Sequence, residues 1–316
     1  MSPQHTFASI AYTAKGKVTR RERFLGEMDA VTPWQGLLAL IAPHYPKAGR
    51  GRQPLPLEVM LRVYVLQQWF DLSDPQAEDM LYDSESMRRF ARVELGDDTV
   101  PDETTILRFR HLLEQHQLTV AVFAAVREHL DARRLLLKAG TIVDATIIAA
   151  PSSTKNATQT RDPEMRQTKK GKMWHFGMKI HVGSDRRGIV HTVTTTDAAQ
   201  ADITQFHDLL HGAETAVYGD KAYWCAEDQA DCEAQGVKYR INRRGQRTRY
   251  WDGINRARSR VRAHVEHPFH VVKRLWGFAK VRYRGLAKNT VRVFMLFARA
   301  NLYLLRHRLV QRTGSA

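Results

Sequence analysis

Three acidic residues stand where an acid needs a physical reason. Asp144 interrupts TIVDATII, a β-branched apolar run that reads as a central strand. A carboxylate there is costly unless it is paired or ligates a cation. Asp220 closes the strand-like TAVYGD, at the carboxyl end where α/β sheets commonly bind ligands. Glu266 lies in RARSRVRAHVEHPFHVVKRLW, residues 256–276, which reads as a helix. At about 100° per residue, with Glu266 at zero, Arg262 falls near −40°, Lys273 near −20° and Ser259 near +20°. One narrow face then carries a single carboxylate between cations.

Three hard oxygen ligands with open positions suit Mg²⁺ or Mn²⁺, which keep waters and bind phosphate oxygens. Two such ions about 4 Å apart would activate an attacking oxygen and stabilise a leaving one in a phosphoryl displacement. Spacing alone is weak support, because 33 acids allow many triples and a solvated charged face also explains the helix. Placement on two strands and one helix is what favours the metal reading. It requires the strands of Asp144 and Asp220 to be neighbours.

The elements that must position these groups form a mixed sheet with helices on its faces. After TIVDATIIAA, residues 151–172 are polar and aperiodic and read as a long loop. WHFGMKIHVGSD and GIVHTVTTTD read as a hairpin about Arg186-Arg187-Gly188. A short helix at Ile203–His211, the strand TAVYGD, a helix through YWCAEDQADCEAQG and the strand VKYRIN follow. RRGQRTRYWDG reads as a basic loop before the Glu266 helix. Pro268 cannot donate to the carbonyl of His264, which predicts a kink or restart there. VRVFMLFARANLYLLRHRL is a final helix.

The first part of the chain is helical. Residues 1–53 read as a basic arm with a short helix near Pro33–Ala42. LEVMLRVYVLQQWF is apolar nearly all round, so it is a buried helix. Ser73-Asp74-Pro75-Gln76 is a strong helix start, Asp102 caps ETTILRFRHLLEQH, and a further helix runs from about Thr119 to Arg134. From Leu55 to Val100 there are ten acids against four bases, which favours a scaffold or dimer surface over a DNA-binding helix pair.

Charge is distributed very unevenly. The net charge is +16, but Gly236 to Ala316 holds 21 Lys and Arg against Asp252 and Glu266 alone, and the rest of the chain is slightly acidic. Such asymmetry points to a polyanion, and the lack of a strongly apolar amphipathic face favours nucleic acid over lipid. Arg243, Arg244, Arg247 and Arg249, with Lys169, Lys170 and Lys172 in the long loop, are the candidate DNA contacts. No apolar run approaches the roughly 18 residues of a membrane span, and the N-terminus lacks a signal-peptide core, so a cytoplasmic protein is expected. Cys225 and Cys232 are seven apart in an expected helix and read as ordinary thiols. His264, His267 and His270 wind round their helix, which argues against a shared zinc. Trp224 and Trp251 could stack on bases, though packing accounts for them more simply.

Longer stretches carry a resemblance. VDATIIAAPSSTKNATQTRDPEM, QTKKGKMWHFGMKIHVG, YGDKAYW and VEHPFHVVKRLWGFAKVRYRGLAKN resemble the DDE transposases of bacterial insertion sequences, in the family-five group, and PDETTILRFRHLLE resembles their N-terminal helical segment. The resemblance implies a helical domain over 54–138 and a ribonuclease-H-like catalytic domain over 139–310. It also implies a metal triad of Asp144, Asp220 and Glu266, two Mg²⁺ or Mn²⁺ ions, and phosphate clamping by Arg262 and Lys273. The implied reaction is cleavage at the element ends, then attack of the freed 3′-hydroxyl on target DNA. The implied partner is double-stranded DNA, held by a dimer or larger assembly, with nucleoid association when bound. Where the family pattern has tyrosine this chain has Ser259, which offers no stacking surface. Two alternatives stay open: a nuclease of the same fold without strand transfer, and a catalytically silent DNA-binding derivative.

Overall fold

The computed structural model describes residues 12–50, 52–96, 98–157, 159–242 and 249–313. The chain divides into two compact units, residues 1–121 with 305–316, and residues 122–304.

The first unit is helical: α1 (Arg20–Val31), α2 (Trp34–Ile41), α3 (Leu57–Phe70), α4 (Asp74–Asp83), α5 (Glu85–Ala91) and α6 (Glu103–Gln115), with the start of α7 (Leu118–Ala132). The expected basic arm is corrected over 20–31. Thr19 and Glu22 form a reciprocal capping box and Leu25, Met28 and Val31 are buried, so this stretch is a docked helix. Ser73 with Gln76, and Asp102, cap α4 and α6 as their sequences predict. Helix α3 is buried from Val59 to Trp69, its Arg62 included. Arg62 is held by Asp29 at 2.8 Å and Glu58 at 2.9 Å, and its guanidinium lies 4.1 Å from the Trp34 ring centroid. Arg88 and Arg89 pair with Glu85, and Arg92 with Glu58. All four arginines of this acidic block are therefore engaged internally.

The second unit is built on a mixed sheet of β1 (Thr141–Ala149), β2 (Arg166–Lys170), β3 (Met173–Ser184), β4 (Val190–Asp197), β5 (Ala216–Gly219) and β6 (Lys238–Ile241). The order is β2-β3-β1-β5-β6, and β4 also pairs with β3. Strand β1 is central, antiparallel to β3 and parallel to β5. Its apolar, β-branched sequence suits burial on both faces. Helix α8 (Ala226–Ala234) links β5 to β6; α9 (Arg249–Arg262), α10 (Glu266–His270) and α11 (Leu286–Thr313) follow. Asn301 of α11 binds both backbone groups of Val190, fixing the helix to β4.

Four local expectations are corrected. The end of the long loop, 166–170, is strand β2; its lysine-rich sequence lacks strand alternation because its pairing comes from β3. Residues 203–211 form two short 3₁₀ turns rather than one helix. Residues 249–253 belong to α9, and the remainder of the expected basic loop, 243–248, lies outside the described residues. Cys225 is the extended N-cap of α8, so the two free cysteines do not share a helical face.

His181 and His191 are buried in the sheet, and burial lowers them from the ordinary 6.5 to about 4 and about 3. The unfolded chain then binds protons that the folded chain refuses, so each histidine removes stability as pH falls below 6.5. Asp144 and Asp185, pushed up by burial, act in the opposite sense. The informative quantity is the difference between parent and His181→Gln. Going from pH 7.5 to 5, the parent should lose roughly 2 kcal/mol more than the variant, read from urea titrations. Identical pH slopes would refute this role for His181.

Candidate active site

Register brings the first two acids together. The last β1–β5 pair is Ile142 with Tyr218, and Asp144 and Asp220 each lie two residues further on. They extend in parallel from one edge of the sheet. Gly219, just before Asp220, leaves room for a close approach: a Cβ there would meet Val143 Cγ2 at 2.9 Å and Ile241 Cδ1 at 2.7 Å. Asp220 then caps a 3₁₀ turn, accepting from the Ala222 N–H at 2.8 Å.

The Glu266 segment is a broken helix. After α9 come a 3₁₀ turn at Ala263–Val265, the short α10, and a π turn at Val271–Leu275. The break precedes Pro268, whose missing N–H leaves the His264 carbonyl without its α-helical donor. That carbonyl packs against Gly188 in the β3–β4 turn, where φ is +82° and an added Cβ would lie 2.3 Å from the oxygen. Beyond the π turn, Ala149 N–H donates to Ala279 O at 3.1 Å and Val281 N–H to Ala149 O at 2.8 Å. The segment is thus anchored at one end to the hairpin turn and at the other to β1.

One cavity of about 420 Å³ is lined by Asp144, Asp220, Glu266, Arg262, Lys169 and Lys170, among others. Arg262 donates to Asp144 Oδ2 at 2.6 Å and lies 3.7 Å from Glu266 Oε1, so one guanidinium bridges two of the acids. Asp144 also accepts from the Ala145 N–H at 2.8 Å. Burial pushes Asp144 up to about 6; Arg262 opposes that rise, and the charges of Asp220 and Glu266 add to it. Lys273 donates to Thr146 Oγ1 at 3.0 Å and Ile147 O at 2.9 Å, so it braces β1. Burial first, then Lys170 and Arg274, hold Lys273 below the ordinary lysine range. Lys169 and Lys170 lie on β2 and Lys172 follows in the turn; none of the three forms an ion pair among the described residues. Arg243, Arg244 and Arg247 lie outside the described residues, and Arg249 opens α9. Ser259 accepts from Asn242 at 3.2 Å.

The sequence reading missed two residues here. Lys179 of β3 is buried and pairs with Asp202 at 2.9 Å, and both line the cavity. A lysine inside FGMKIHV carries the same signal as Asp144: a charge in an apolar strand needs a partner.

The donor set fits a hard divalent cation. All three acids offer carboxylate oxygens, a cationic side chain already bridges two of them, and the buried Tyr223 hydroxyl beside them has no hydrogen-bond partner. Among the described residues no three acid, histidine or cysteine side chains are already grouped closely enough to hold a metal. The histidines of the Glu266 segment form no such group either; His264 and His267 stack edge to face at 5.8 Å.

A sheet-edge cavity of converging acids, with Lys169 and Lys170 at its rim in no ion pair among the described residues, defines an enzyme acting on a polyanionic phosphodiester. Two family models match the chain, "Transposase domain (DUF772)" over residues 13–112 and "Transposase DDE domain" over residues 136–302. The second spans more than half of the chain, which therefore belongs to the DDE transposases of insertion-sequence type, with a ribonuclease-H-like catalytic fold. No solved structure matches it. DNA is the partner, and the family works with divalent metal ions. No described helix is long and apolar enough to cross a membrane.

Gly188 is expected to be indispensable for placing the Glu266 segment. Gly188→Ala meets both an unfavourable φ and the His264 carbonyl, and should destabilise the chain by about 2 kcal/mol or more. A melting temperature equal to that of the parent would show that the segment is not anchored there.

Proposed function

We propose that the chain hydrolyses DNA at the ends of an insertion sequence and joins the freed 3′-hydroxyl to target DNA. In the first step water oxygen bonds to phosphorus and the P–O3′ bond breaks, leaving a 3′-hydroxyl and a 5′-phosphate. In the second step that 3′-oxygen bonds to a target phosphorus and displaces the target's own 3′-oxygen. Asp144, Asp220 and Glu266 are the catalytic carboxylates and would hold Mg²⁺ or Mn²⁺, two ions. Bound there, the ions would supply Lewis-acid activation of the attacking oxygen and charge stabilisation of the leaving one. The observation carrying this reading is the shared cavity of the three acids, with Arg262 bridging two of them and Lys169 and Lys170 at its wall.

The other roles follow from chemistry. Arg262 presents a fork able to exchange carboxylate oxygens for phosphate oxygens. Lys273 contributes positive potential while bracing β1, and Lys169, Lys170 and Lys172 engage flanking phosphates. Lys179 and Asp202 hold the cavity wall. The sequence wording further favours the family-five group, a dimer or larger assembly on DNA, and a nucleoid location when bound.

Asp144→Asn, Asp220→Asn and Glu266→Gln should each lower cleavage of terminal-repeat DNA by on the order of a thousandfold or more, with DNA binding in EDTA retained. Asp144→Asn should also melt no lower than the parent at pH 7.5, because ionised Asp144 carries a burial cost that the amide lacks. Nicks without joined product would instead support the nuclease alternative. Full cleavage by any one variant removes that residue from the triad.

Electrostatics give an independent test. Replacing Arg243, Arg244, Arg247 and Arg249 together should flatten the dependence of log affinity on log salt by up to about 3.6, at about 0.9 per phosphate. Arg292 and Arg299 of α11 are buried, so the basic C-terminal charge is not all available to DNA. The arginines of the acidic helical block are in ion pairs and contribute little to the slope. An unchanged slope would transfer the main DNA surface elsewhere.

A further inference from the structure

The hairpin of β2 and β3 ends in a feature that the catalytic reading does not use. Met173 and Trp174 at its tip are 67% and 66% exposed, above every other large apolar side chain among the described residues. Gly171, at φ +62°, turns the chain between the strands. Pairing sets Lys169 directly opposite Trp174 and Lys170 opposite Met173. The Lys169 ammonium lies 5.8 Å from the Trp174 ring centroid.

Neither packing nor local charge accounts for this arrangement. An exposed indole and thioether gain nothing from solvent, and a soluble surface normally spaces such groups singly. Lys169, Lys170 and Lys172 form no ion pair among the described residues. The hairpin also forms part of the wall of the acid-lined cavity through Thr168, Lys169 and Lys170. An aromatic face interleaved with unpaired cations is the surface that recognises single-stranded nucleic acid: the ring takes a base, the cations take phosphates.

We propose that the β2–β3 hairpin is a clamp for an unpaired DNA end, with Trp174 stacking on a base of the strand whose phosphate enters the acid cavity. Lys169, Lys170 and Lys172 hold the flanking phosphates, and Met173 fills the apolar edge beside the stacked base. This rests on the DNA-cleaving reading above and adds the structural state of the substrate: a frayed end is preferred to a fully paired one.

The test uses the full chain in EDTA with two duplexes of one sequence, one fully paired and one with a short unpaired end carrying 2-aminopurine. The parent should change the 2-aminopurine fluorescence and bind the frayed duplex more tightly. Trp174→Ala should abolish the signal and weaken frayed-end binding about 5- to 100-fold, with paired-duplex binding little changed. Trp174→Phe, which keeps a ring, should retain much of both. Thermal melting of each variant should match the parent, since the side chain is exposed.

Frayed-end binding and signal unaltered in Trp174→Ala, with the parent still cleaving DNA, would overturn the clamp and leave the catalytic reading intact. Equal losses on both duplexes would also overturn it, because the contact would then be to the backbone and not to a base. Failure of the parent to bind either duplex would overturn the clamp together with the DNA reading beneath it.

Discussion

The contact that organises the acid-lined cavity of the second unit is the one between Asp144 and Arg262. A carboxylate has been placed in the central strand of a sheet, where desolvation penalises its charge; Asp220 and Glu266 share its cavity, as does Asp202 in its pair with Lys179. Like charges in so small a volume oppose one another, and the fold offsets that opposition with one guanidinium reaching from a distant helix. The same physics that makes the site costly would favour the divalent cation proposed for it. A surface cluster of acids would lack that pull, because water would already screen it.

Holding the guanidinium in place takes more of the structure than holding the strand acids. Strands β1 and β5 deliver Asp144 and Asp220 by register alone. Glu266 and Arg262 sit on a segment that runs through α, 3₁₀, α again and π geometry between Arg249 and Leu275 and is fixed at both flanks. Gly188 makes room for the His264 carbonyl, to which Pro268 offers no N–H, and the Ala149 bridge fixes the far side. Lys273 extends from the π turn to the backbone of β1, joining the segment to the strand that carries Asp144.

What was legible in the sequence was local. An acid in an apolar strand, capping residues at helix starts and a proline in a helical run each report their own surroundings, so β1, the caps and the helix break could be anticipated. The mixed α/β sheet followed from element order, and its ribonuclease-H-like class from the resemblance. What escaped was non-local. Strand β2 is polar and exposed, and only its pairing with β3 makes it a strand. The Lys179–Asp202 pair joins residues on different elements, and neither partner alone announces the other. The burial of α3 was legible from its all-round apolar sequence, but not the partners that let Arg62 survive inside it, Asp29 of another helix and Glu58.

The broken helix also limits how this chain can vary. Between Arg262 and Lys273 the backbone works as a fixed gauge: both ends are in contact with β1, so the number of residues between them is set as firmly as their chemistry. One residue gained or lost there would turn everything beyond it by about 100° and carry one of the two side chains off the strand. The exposed residues 152–157, where Asn156 and Ser152 bond within their own loop, can lengthen at small entropic cost, whereas Thr160 and Asp162 beyond them are tied to Arg284 and Gly285. Homologous chains that share this architecture should therefore differ in length at the second place and hardly at all in the first.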